Sequence, residues 1–424
     1  MDITVKKTKP LTGTIEIPAD KSITHRAFMF AALTKGKVKV TNFSKGADCM
    51  STLKIIKQLG CEVEFINEKE LIIDATNALK SPNSPLDCGN SGTTTRLMMG
   101  ILAGQNFDCK MFGDSSLSKR PMKRVIAPLE QMGANFSHTD YKLPLTIKGK
   151  TLNAIEYDSP LASAQVKSCI LLAGLNANGT TTFTEPYKSR NHTELMFEYM
   201  GADIKVEDNK VSIKKSQLNP VDITVCGDIS SAAFFMVAAL IVPNSDIIIK
   251  NVGINETRAG IIEVLKNMNG DIELLNERLV SNEKVADIRV KYSELKATTI
   301  QGSIIPRLID EIPVIAVAAS QANGTTIIKD AQDLRNKEAD RITAVKTELK
   351  KLGCDIEETP DGFIINGKTE LNGNCEIECY HDHRIAMSAY VAGLICNQPI
   401  KINEFQWVDI SFPEFLNLMD NLKN

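Results

Sequence analysis

The stretch IEIPADKSITHRAFMFAAL, residues 15–33, joins a short extended run to a helix of small and apolar residues through a polar cluster. The helix has no charge after Arg26, so we expect it to be buried. The cluster lies where the helix should begin, and the free backbone N–H groups at a helix start favour anions. A plain connection needs only a cap and a turn, so Lys21 and Arg26 indicate a second role.

The same pattern recurs five more times along the chain. Each copy has an extended run, a polar cluster and a helix rich in small and apolar residues. The copies are residues 86–102, 159–175, 223–240, 303–319 and 377–394. A second series runs in phase with them and consists of amphipathic helices that end in a glycine C-cap and lead into a strand. These glycines are Gly60, Gly133, Gly201, Gly270 and Gly353.

Six such units in 424 residues divide into three and three, because a chain of this length exceeds one typical core. The repeats predict an α/β fold of two domains, each with three repeated β/α units and buried parallel helices. The last unit lacks a final strand, and the N-terminal run DITVKK lacks a preceding helix. We therefore expect residues 20–226 to form one domain and residues 227–424, completed by residues 1–19, the other. The chain would cross between them near Pro18 and near Cys226.

Bulk composition narrows the class of protein. The net charge of -3 and the pI of about 6.1 argue against binding to nucleic acid or to a membrane surface, which usually goes with a basic excess. No apolar run approaches the roughly 20 residues of a spanning helix. Ten scattered cysteines, several inside apolar runs, indicate buried thiols in a reducing cytoplasm rather than disulfides.

One cluster, CEIECYHDHR, places Cys375, Cys379, His381 and His383 close together. On a strand all four would face the same side, because even steps separate them. Zinc takes such ligands, but Cys-x3-Cys followed at once by His-x-His is not the spacing of a zinc finger or ribbon. We favour a strand that runs into a polar loop, with a metal site as the alternative.

The hydroxyl residues of the polar clusters have a structural explanation as helix N-caps. The residues that fit it are Ser22, Ser91, Thr93, Ser163 and Ser230. Capping does not account for the charged and amide side chains at the same places, which are Lys21, Arg26, Arg96, Gln165, Asp310 and Arg384. Several cations near helix starts suggest a substrate with several negative groups.

Two further segments add charge. SKRPMKR places Arg120 in a loop before a helix that starts with proline. RNKEADRITAVKTEL places Lys337 and Arg341 four residues apart on one predicted helical face, with Glu338 beside Lys337. The second segment could equally be a solvated, charged helix start.

The candidate acid and base groups are Asp310, Glu338 and His383. Asp310 precedes a strongly apolar run, where burial penalises an ionised carboxylate unless cations lie near it. If it faces the substrate, it is a credible general base. Covalent catalysis has no support, because no G-x-S-x-G motif occurs and no cysteine lies in a cation-rich loop. Nucleotide use has none either, since Walker and G-x-G-x-x-G motifs are absent.

Seven motifs together resemble the EPSP synthase family of enolpyruvyl transferases over nearly the whole chain. They are DKSITHR, GNSGTTTR, SKRPM, SAQVKS, IDEIP, NKEADR and DHRIAM, in family order. The resemblance implies an inside-out α/β barrel of two domains that close over a cleft. It also implies a reaction in which the enolpyruvyl group of phosphoenolpyruvate passes to the 5-hydroxyl of shikimate 3-phosphate. Phosphate leaves, by addition and then elimination, through a non-covalent tetrahedral intermediate.

The resemblance also assigns site residues. The ligands of shikimate 3-phosphate would be Lys21, Ser22, Arg26, Ser163, Ala164, Gln165, Arg190, Asp310 and Lys337. The ligands of phosphoenolpyruvate would be Lys21, Asn90, Gly92, Arg120, Gln165, Arg341 and Arg384. The catalytic groups would be Asp310 as base on the 5-hydroxyl, Glu338 as the group that exchanges a proton with the methylene carbon, Lys21 between the substrates, and His383 as a support for Arg384.

The family requires no metal or organic cofactor. We therefore expect a cytoplasmic enzyme of aromatic amino acid biosynthesis, acting as a monomer on two small molecules. We expect no nucleic-acid partner and no membrane association.

Three positions bear on the branch of the family. Many relatives carry a lysine just before the C-terminal Phe-Pro, whereas this chain has Ile410. Many also have a second serine in the SAQ motif, where this chain has Ala164. Both changes suit the divergent, often glyphosate-tolerant branch, yet Gly92 is the residue associated with sensitivity to that inhibitor.

Two other functions stay open. One is that of the sibling enzyme that transfers enolpyruvyl to a UDP-amino sugar. It usually has a Cys in the segment that here reads GDSSLSKRPM and an Asn after the first Lys, whereas here Ser22 follows Lys21. The other is a non-catalytic anion-binding protein, against which Asp310, Glu338 and Lys337 argue together. Phosphate release with each substrate pair would separate the three functions.

Overall fold

The computed structural model describes residues 1–423, which form two compact units. Unit 1 contains Met1–Pro18, Gly227–Leu279 and the chain from Lys284 onwards. Unit 2 contains Ala19–Cys226 and Val280–Glu283.

This division differs from the expected domains at two places. Ala19 lies with unit 2, and so does the short segment Val280–Glu283, which the repeats assign to the other domain. A contact inside unit 2 accounts for the second difference, because Glu283 Oε1 is 2.7 Å from His192 Nδ1 and both side chains are buried. Periodicity cannot reveal such a contact, since the two residues are far apart in the chain.

In unit 2, helices and strands alternate in three similar blocks; all elements are numbered along the whole chain. The helices are α1 (Lys21–Ala31), α2 (Ala47–Gln58), α3 (Gly92–Ala103), α4 (Lys123–Gln131), α5 (Ala164–Gly174) and α6 (His192–Tyr199). The strands are β3 (Lys37–Thr41), β4 (Glu62–Phe65), β5 (Glu70–Asp74), β6 (Leu86–Asp87), β7 (Cys109–Phe112), β8 (Asn135–Thr139), β9 (Lys142–Lys148), β10 (Glu156–Asp158), β11 (Thr180–Thr184), β12 (Ile204–Glu207), β13 (Lys210–Lys214) and β14 (Ile223–Thr224).

Each block of unit 2 forms a four-stranded sheet with the same topology. The strand orders are β14-β3-β5-β4, β6-β7-β9-β8 and β10-β11-β13-β12. The first two strands of each sheet are parallel, and the remaining neighbours are antiparallel. Parallel neighbours need a crossover, and α3 and α5 supply it for the second and third sheets.

Unit 1 also alternates helices and strands and forms three sheets, of which the third has three strands. Its helices are α7 (Ile229–Ile241), α8 (Gly260–Asn267), α9 (Ile305–Leu308), α10 (Ile312–Ser320), α11 (Arg341–Lys351), α12 (His383–Gly393) and α13 (Phe415–Asn421). Its strands are β1 (Ile3–Val5), β2 (Thr12–Glu16), β15 (Asp246–Gly253), β16 (Asp271–Val280), β17 (Glu283–Lys291), β18 (Thr299–Ile300), β19 (Gly324–Ile328), β20 (Asp355–Thr359), β21 (Gly362–Gly367), β22 (Glu376–Ile377) and β23 (Ile400–Ile402). The sheet orders are β16-β17-β15-β2, β18-β19-β21-β20 and β1-β23-β22.

The N-terminal strands belong to unit 1. β1 pairs antiparallel with β23, with Ile3 opposite Ile402, so the first strand completes the last repeat in the way that the sequence predicts. β2 pairs in parallel with β15 of the same unit, and β14 pairs in parallel with β3 of unit 2. β2, which comes just before the chain leaves unit 1 at Pro18, therefore belongs to a sheet of unit 1. β14, which comes just before the chain leaves unit 2 at Cys226, belongs to a sheet of unit 2.

The helices of the repeated motif form the core of each unit, and their predicted burial is confirmed. They are α1, α3, α5, α7, α10 and α12, and every residue of α10 is buried. Their small and apolar residues allow close packing on all sides of the helix. None of the helices between residues 1 and 423 has the length and hydropathy of a membrane span.

Aspartates cap three of these helices, and for two of them, α1 and α7, the sequence analysis expected a hydroxyl cap instead. The three are Asp20 for α1, Asp228 for α7 and Asp382 for α12, and each accepts a hydrogen bond from a backbone N–H of the first turn. The caps expected at Ser91 and Ser163 are confirmed. The expectation is wrong for three other hydroxyl residues, which lie inside the first turn of their helices: Ser22, Thr93 and Ser230.

The glycines that follow the amphipathic helices take the left-handed conformation that glycine adopts without strain. Four of the five predicted positions do so: Gly60, Gly133, Gly201 and Gly353. The fifth prediction is wrong by one residue, because Asn269, with φ 68°, takes this position after α8 instead of Gly270. Asparagine is the residue that most readily replaces glycine there, so the helix still ends in the same manner.

Candidate active site

In unit 2, the start of α1 carries three of the predicted ligands. Asp20 Oδ1 accepts from the backbone N–H of Ile23 at 2.8 Å, which places Lys21 and Ser22 in the first turn. Lys21 Nζ is 3.0 Å from Asp48 Oδ2, and both side chains are partly exposed. Asp48 is a residue that the sequence analysis missed, and only the fold shows that it accompanies Lys21.

Arg26 lies one turn further along α1 and is buried. Its Nη1 donates to the backbone oxygen of Ser22 at 2.9 Å, and its Nε and Nη2 donate to Thr193 Oγ1 and Ser168 Oγ at 2.8 Å each. Burial lowers the pKa of Arg26 to about 10, although the negative charge of Glu194 acts in the opposite direction and raises it. The guanidinium is therefore charged at neutral pH, and its three direct hydrogen-bond partners are neutral, which favours an anionic ligand.

Gln165 joins the N-terminal turns of α3 and α5. Its carboxamide oxygen accepts from Arg96 Nη1 at 2.7 Å, and its Nε2 donates to Thr93 Oγ1 at 3.1 Å. These two contacts fix both ends of the amide and therefore its orientation. They also connect Arg96, the cation that capping left unexplained, to a predicted ligand.

Three guanidinium groups face one another around this point. Burial, together with the neighbouring charges of Arg124 and Arg120, lowers the pKa of Arg96 to about 9. Like charges that oppose one another in this way create a local excess of positive potential, which an anion relieves. Arg124 was missed by the sequence analysis, although the run SKRPMKR contains it.

Arg120 and Asn90 are also brought together. Arg120 Nη2 donates to Asn90 Oδ1 at 2.7 Å, and Asn90 Nδ2 donates to Asp114 Oδ2 at 2.6 Å. A short 3-10 helix, Leu117–Lys119, precedes Arg120, and α4 begins at Lys123 rather than at the proline that the sequence analysis expected.

Gly92 is the first residue of α3 and lies next to the side chains of Arg96 and Arg120. A Cβ at this position would lie 2.7 Å from Arg96 Nη1 and 3.7 Å from Arg120 Nη1. The space that the missing side chain leaves is therefore bordered by guanidinium groups.

In unit 1, Asp310 lies just before α10 and contacts two cations. Its Oδ1 is 3.2 Å from Lys337 Nζ and 3.5 Å from Arg341 Nη1. Its backbone oxygen accepts from Arg384 Nη1 at 3.0 Å. Residues from three separate segments of the chain are thus brought together: Asp310, Lys337 with Arg341, and Arg384.

Lys337 does not lie on a helix. The prediction that Lys337 and Arg341 share a helical face is wrong, because Asp340 caps α11 and the helix begins only at Arg341. Lys337 follows a short 3-10 helix, Gln332–Asn336, in an extended conformation. The two cations still meet at Asp310, because the chain turns between them.

Arg341 is the most heavily paired group of this cluster. It donates to Asp382 through Nε at 2.7 Å and through Nη2 at 3.3 Å, and the same Nη2 donates to Glu338 Oε2 at 2.7 Å. Burial favours the neutral form, but Asp382, Glu338 and Asp310 together raise the pKa of Arg341 above its ordinary value. The pairing holds Glu338 and Asp310 on the same guanidinium.

A buried carboxylate beside Asp310 was missed by the sequence analysis. Glu311 is fully buried and accepts from Arg258 Nη1 at 3.0 Å with each of its oxygens. It also hydrogen-bonds to Ser230, and its Oε1 is 3.6 Å from Arg384 Nη1. Glu311 therefore anchors the segment that carries Asp310 and orients the guanidinium of Arg384.

His383 is the first residue of α12, next to Arg384, and is almost completely buried. The cluster CEIECYHDHR to which it belongs does not form one strand. Only Glu376–Ile377 are extended, Cys379 is buried and donates to the backbone oxygen of Asn403 at 2.9 Å, and His381 lies against the Trp407 ring with centroids 4.6 Å apart. The favoured prediction, a strand that runs into a polar loop, is confirmed, because β22 ends at Ile377 and α12 begins only at His383.

The remaining predicted ligands lie at the expected ends of their elements. Ser163 caps α5 and Ala164 is its first residue. Arg190 lies in the segment between β11 and α6. Ile410, which takes the place of a lysine in many relatives, ends a 3-10 helix with its side chain 42% exposed.

Each unit thus presents a cluster of its own. In unit 2, lysine, arginine, amide and hydroxyl groups surround the starts of α1, α3 and α5, an arrangement that binds anions. In unit 1, the Asp310 and Glu338 carboxylates share the Arg341 guanidinium at the start of α11, an arrangement that can move protons beside anionic groups.

A family model described as "EPSP synthase (3-phosphoshikimate 1-carboxyvinyltransferase)" matches residues 5–419. The chain belongs to the EPSP synthase family. The curated 3-phosphoshikimate 1-carboxyvinyltransferase of Thermoanaerobacter sp. (strain X514) is 51% identical over 424 residues, which is 100% of both chains. That of Bacillus licheniformis is 48% identical over 422 residues, 98% of each chain.

Solved structures agree with this assignment to the EPSP synthase family. The structure of EPSP synthase from Acinetobacter baumannii matches with a TM-score of 0.92 and 43% identity, covering 100% of this chain and 98% of that one. The enolpyruvyl transferase NikO from Streptomyces tendae matches with a TM-score of 0.82 over 99% of this chain and 96% of its own. Because NikO is only 15% identical, it supports the inside-out α/β fold alone.

Proposed function

We propose that this chain transfers the enolpyruvyl group of phosphoenolpyruvate to the 5-hydroxyl of shikimate 3-phosphate and releases phosphate. This is the 3-phosphoshikimate 1-carboxyvinyltransferase reaction of the shikimate pathway, which leads to chorismate and the aromatic amino acids. Membership of the family supports the reaction. The structural observation that carries it is the Asp310 carboxylate, which is 3.2 Å from Lys337 Nζ and 3.5 Å from Arg341 Nη1.

In the addition step, Asp310 acts as the base. It removes the proton from the 5-hydroxyl while that oxygen attacks C2 of phosphoenolpyruvate. Glu338 gives a proton to the methylene carbon, which becomes a methyl group, so the tetrahedral intermediate carries no covalent bond to the protein. Lys337 and Arg341 stabilise the ionised form of Asp310, so it is free to accept the proton.

In the elimination step, the same groups work in reverse. Glu338, now a carboxylate, removes a proton from the methyl group, and the electron pair of that C–H bond forms the new double bond. The C–O bond to phosphate breaks, and phosphate leaves with the proton that Asp310 took from the 5-hydroxyl, so Asp310 and Glu338 both return to their starting protonation states. Glu338 fits this exchange because Arg341 holds its carboxylate at 2.7 Å, at the same guanidinium that contacts Asp310.

The sugar phosphate is held by the groups that the family motifs assign to it. We propose that Arg26 and Arg190 bind its anionic groups, since guanidinium groups suit phosphate and carboxylate geometry. The other proposed ligands are Lys21, Ser22, Ser163, Ala164, Gln165, Asp310 and Lys337. The buried position of Arg26 supports the assignment, because a desolvated guanidinium with neutral partners gains most from an anion.

Phosphoenolpyruvate is assigned to the arginine-rich groups. The proposed ligands are Lys21, Asn90, Gly92, Arg120, Gln165, Arg341 and Arg384. The contacts among Arg120, Asn90, Arg96 and Gln165 support this set, because each orients its neighbour. Arg384 is steadied by its contact with Glu311, and His383 lies beside it.

The proposed enzyme uses lysine and arginine side chains, rather than a metal ion or an organic cofactor, to neutralise its substrates. We further propose that it acts as a monomer in the cytoplasm. The free thiols support a reducing compartment, because nine of the ten cysteines are buried and none is paired within the described chain.

The test is a phosphate-release assay with each pair of substrates. Phosphoenolpyruvate with shikimate 3-phosphate should release phosphate, and the carbon skeleton should appear as the 5-enolpyruvyl product by mass spectrometry. Release with a UDP-amino sugar instead would assign the chain to the sibling enzyme. Binding of shikimate 3-phosphate without any release would identify a non-catalytic anion-binding protein. A reaction without the protein is the blank for enzyme-independent release.

A further inference from the structure

Unit 2 contains a buried lysine, Lys167, that lies outside the proposed ligand set. The Lys167 side chain on α5 is 1% exposed. Its Nζ is 2.8 Å from Glu185 Oε1, 2.7 Å from Glu194 Oε1 and 3.2 Å from the backbone oxygen of Ser189. An ammonium group has three protons, so these three acceptors use all of its donors.

The three acceptors bracket Arg190 in the sequence. Glu185 follows β11, Ser189 immediately precedes Arg190, and Glu194 lies in the first turn of α6. Glu185 Oε1 also accepts from the backbone N–H of Ser189 at 2.8 Å. The segment has no helix or strand of its own between β11 and α6, so Lys167 and Glu185 provide the anchors that fix it.

The next residue of α5 ties the same segment to Arg26. Ser168 Oγ is 2.6 Å from Thr193 Oγ1, and the Arg26 guanidinium donates to both hydroxyls at 2.8 Å. Two successive residues of α5 therefore hold two successive residues of α6, Thr193 and Glu194.

The network is not arranged for maximum stability. Two carboxylates and one ammonium are buried together. Burying these charged groups costs more free energy than burying apolar side chains of similar size. Glu185 Oε2, Glu194 Oε2 and Ser189 Oγ are buried and have no hydrogen-bond partner in the described part of the chain. The buried ion pairs of Lys167 are therefore explained better by the backbone geometry that they fix than by a gain in stability.

We infer that Lys167 is a positioning residue for shikimate 3-phosphate: it fixes the backbone around Arg190 so that Arg190 and Arg26 bind the same ligand. The inference rests on the proposed function, in which both arginines contact that substrate. Lys167 itself touches no substrate, because its donors are all used inside the protein.

The test begins with Lys167→Met, which removes the ammonium and keeps a chain of similar length. The dissociation constant of shikimate 3-phosphate, measured by calorimetry without phosphoenolpyruvate, should rise by about tenfold or more, since small misplacements of a binding group are costly. The KM for phosphoenolpyruvate at saturating sugar phosphate should change far less. If the single variant does not fold, Lys167→Met with Glu185→Gln and Glu194→Gln replaces it, because the two carboxylates that paired with Lys167 are then neutral as well.

Lys37→Met is the matched control. Lys37 belongs to the same unit and pairs with Asp74 at 3.3 Å, but its side chain is 71% exposed. We expect the dissociation constant of shikimate 3-phosphate to be unchanged in this variant. An equal loss in the control and in Lys167→Met would overturn the inference, since the effect would then reflect net charge alone.

A double-mutant cycle with Arg190→Ala decides between positioning and general stability. If Lys167 acts through Arg190, Lys167→Met should have less than about a twofold effect in the Arg190→Ala background. Full additivity would overturn the positioning role and leave the proposed function intact. If Arg190→Ala does not weaken binding of shikimate 3-phosphate, both this inference and the proposed role of Arg190 fail.

Discussion

The Arg341 guanidinium and the Asp382 carboxylate form a two-point ion pair, with Nε and Nη2 at 2.7 and 3.3 Å from the two oxygens, and both side chains are almost completely buried. Asp382 also caps α12 through the backbone N–H of Arg384 at 2.9 Å. One carboxylate therefore orients a side chain and a helix start together. Arg341 Nη2 also donates to Glu338, and Nη1 is 3.5 Å from Asp310; these are the two proposed proton-transfer groups.

Arg341→Lys should damage both stability and activity. Lysine keeps the charge but cannot reproduce the planar, two-point contact, so part of the buried Asp382 carboxylate is left unsatisfied. We expect the free energy of unfolding in urea to fall by about 1–3 kcal/mol and the KM for phosphoenolpyruvate to rise about tenfold.

The control is Arg289→Lys in the same unit. Arg289 contacts Asp246 through Nε at 3.0 Å and Nη2 at 2.7 Å, but both side chains are more than a third exposed. We expect its loss to be below about 1 kcal/mol, because water screens an exposed pair. Equal losses in the two variants would show that burial does not set the strength of the Arg341 contact.

Asp310→Asn should lower kcat much more than it weakens binding. The amide keeps the size of the carboxylate but cannot take the proton of the 5-hydroxyl, so kcat should fall at least about 100-fold. The dissociation constant of shikimate 3-phosphate, measured by calorimetry, should change by less than the fall in kcat. Asp355→Asn, at an exposed position of unit 1, is the control and should leave kcat unchanged. A normal kcat with weakened binding would remove Asp310 from the role of base.

Gly92→Ala should raise the KM for phosphoenolpyruvate and leave the fold intact. The added methyl group would lie 2.7 Å from Arg96 Nη1, so this flexible guanidinium must move and its hydrogen bond to Gln165 weakens. Gly104→Ala at the other end of α3 is the control, because its nearest neighbour would be 3.7 Å away. Identical KM values for the two variants would show that Arg96 does not transmit the change.

The buried histidine of α1 should make stability depend on pH. His25 Nδ1 is 2.7 Å from Thr52 Oγ1, and burial lowers the pKa of His25 to about 3. The unfolded chain, with a pKa of about 6.5 for histidine, binds the extra proton between these values, so stability is fully present above pH 6.5 and falls as the pH decreases. The slope should approach 1.4 kcal/mol per pH unit, a limit set by roughly one proton.

His25→Asn should flatten this slope between pH 6.5 and 4 when the free energy of unfolding is measured in urea at each pH. His381→Asn is the control, because the His381 side chain is 65% exposed and its variant should keep the wild-type slope. A slope that is the same for wild type and His25→Asn would assign the acid sensitivity to other groups.

The repeated pattern of helix starts and glycine ends could be predicted because both depend on local backbone chemistry. Ser91 and Ser163 cap their helices, and four glycines adopt the left-handed conformation at the expected places. For α1 and α7 the cap was assigned to Ser22 and Ser230 instead of Asp20 and Asp228. The sequence alone does not show which of several polar residues lies just outside the first turn.

The partners of the site residues were less predictable, because they come from distant parts of the chain. Glu311 follows Asp310 directly in the sequence, but its contact with Arg258 depends on the packing of α10 against other helices. The pairing of Lys21 with Asp48 depends on how α1 meets α2. Lys337 was placed on a helix because its spacing from Arg341 fits one, yet Asp340 starts the helix only after it.

The pairing of β1 with β23 affects the order in which the protein can fold on the ribosome. Residues 19–226 of unit 2 leave the ribosome as one continuous block, whereas Ile3–Val5 must wait for Ile400–Ile402. Until then β1 is an unpaired edge, which is prone to associate with other strands. Although β1 is synthesised before the other described strands, it is among the last of them to find its place, and a chain that stalls before Ile400 leaves it exposed.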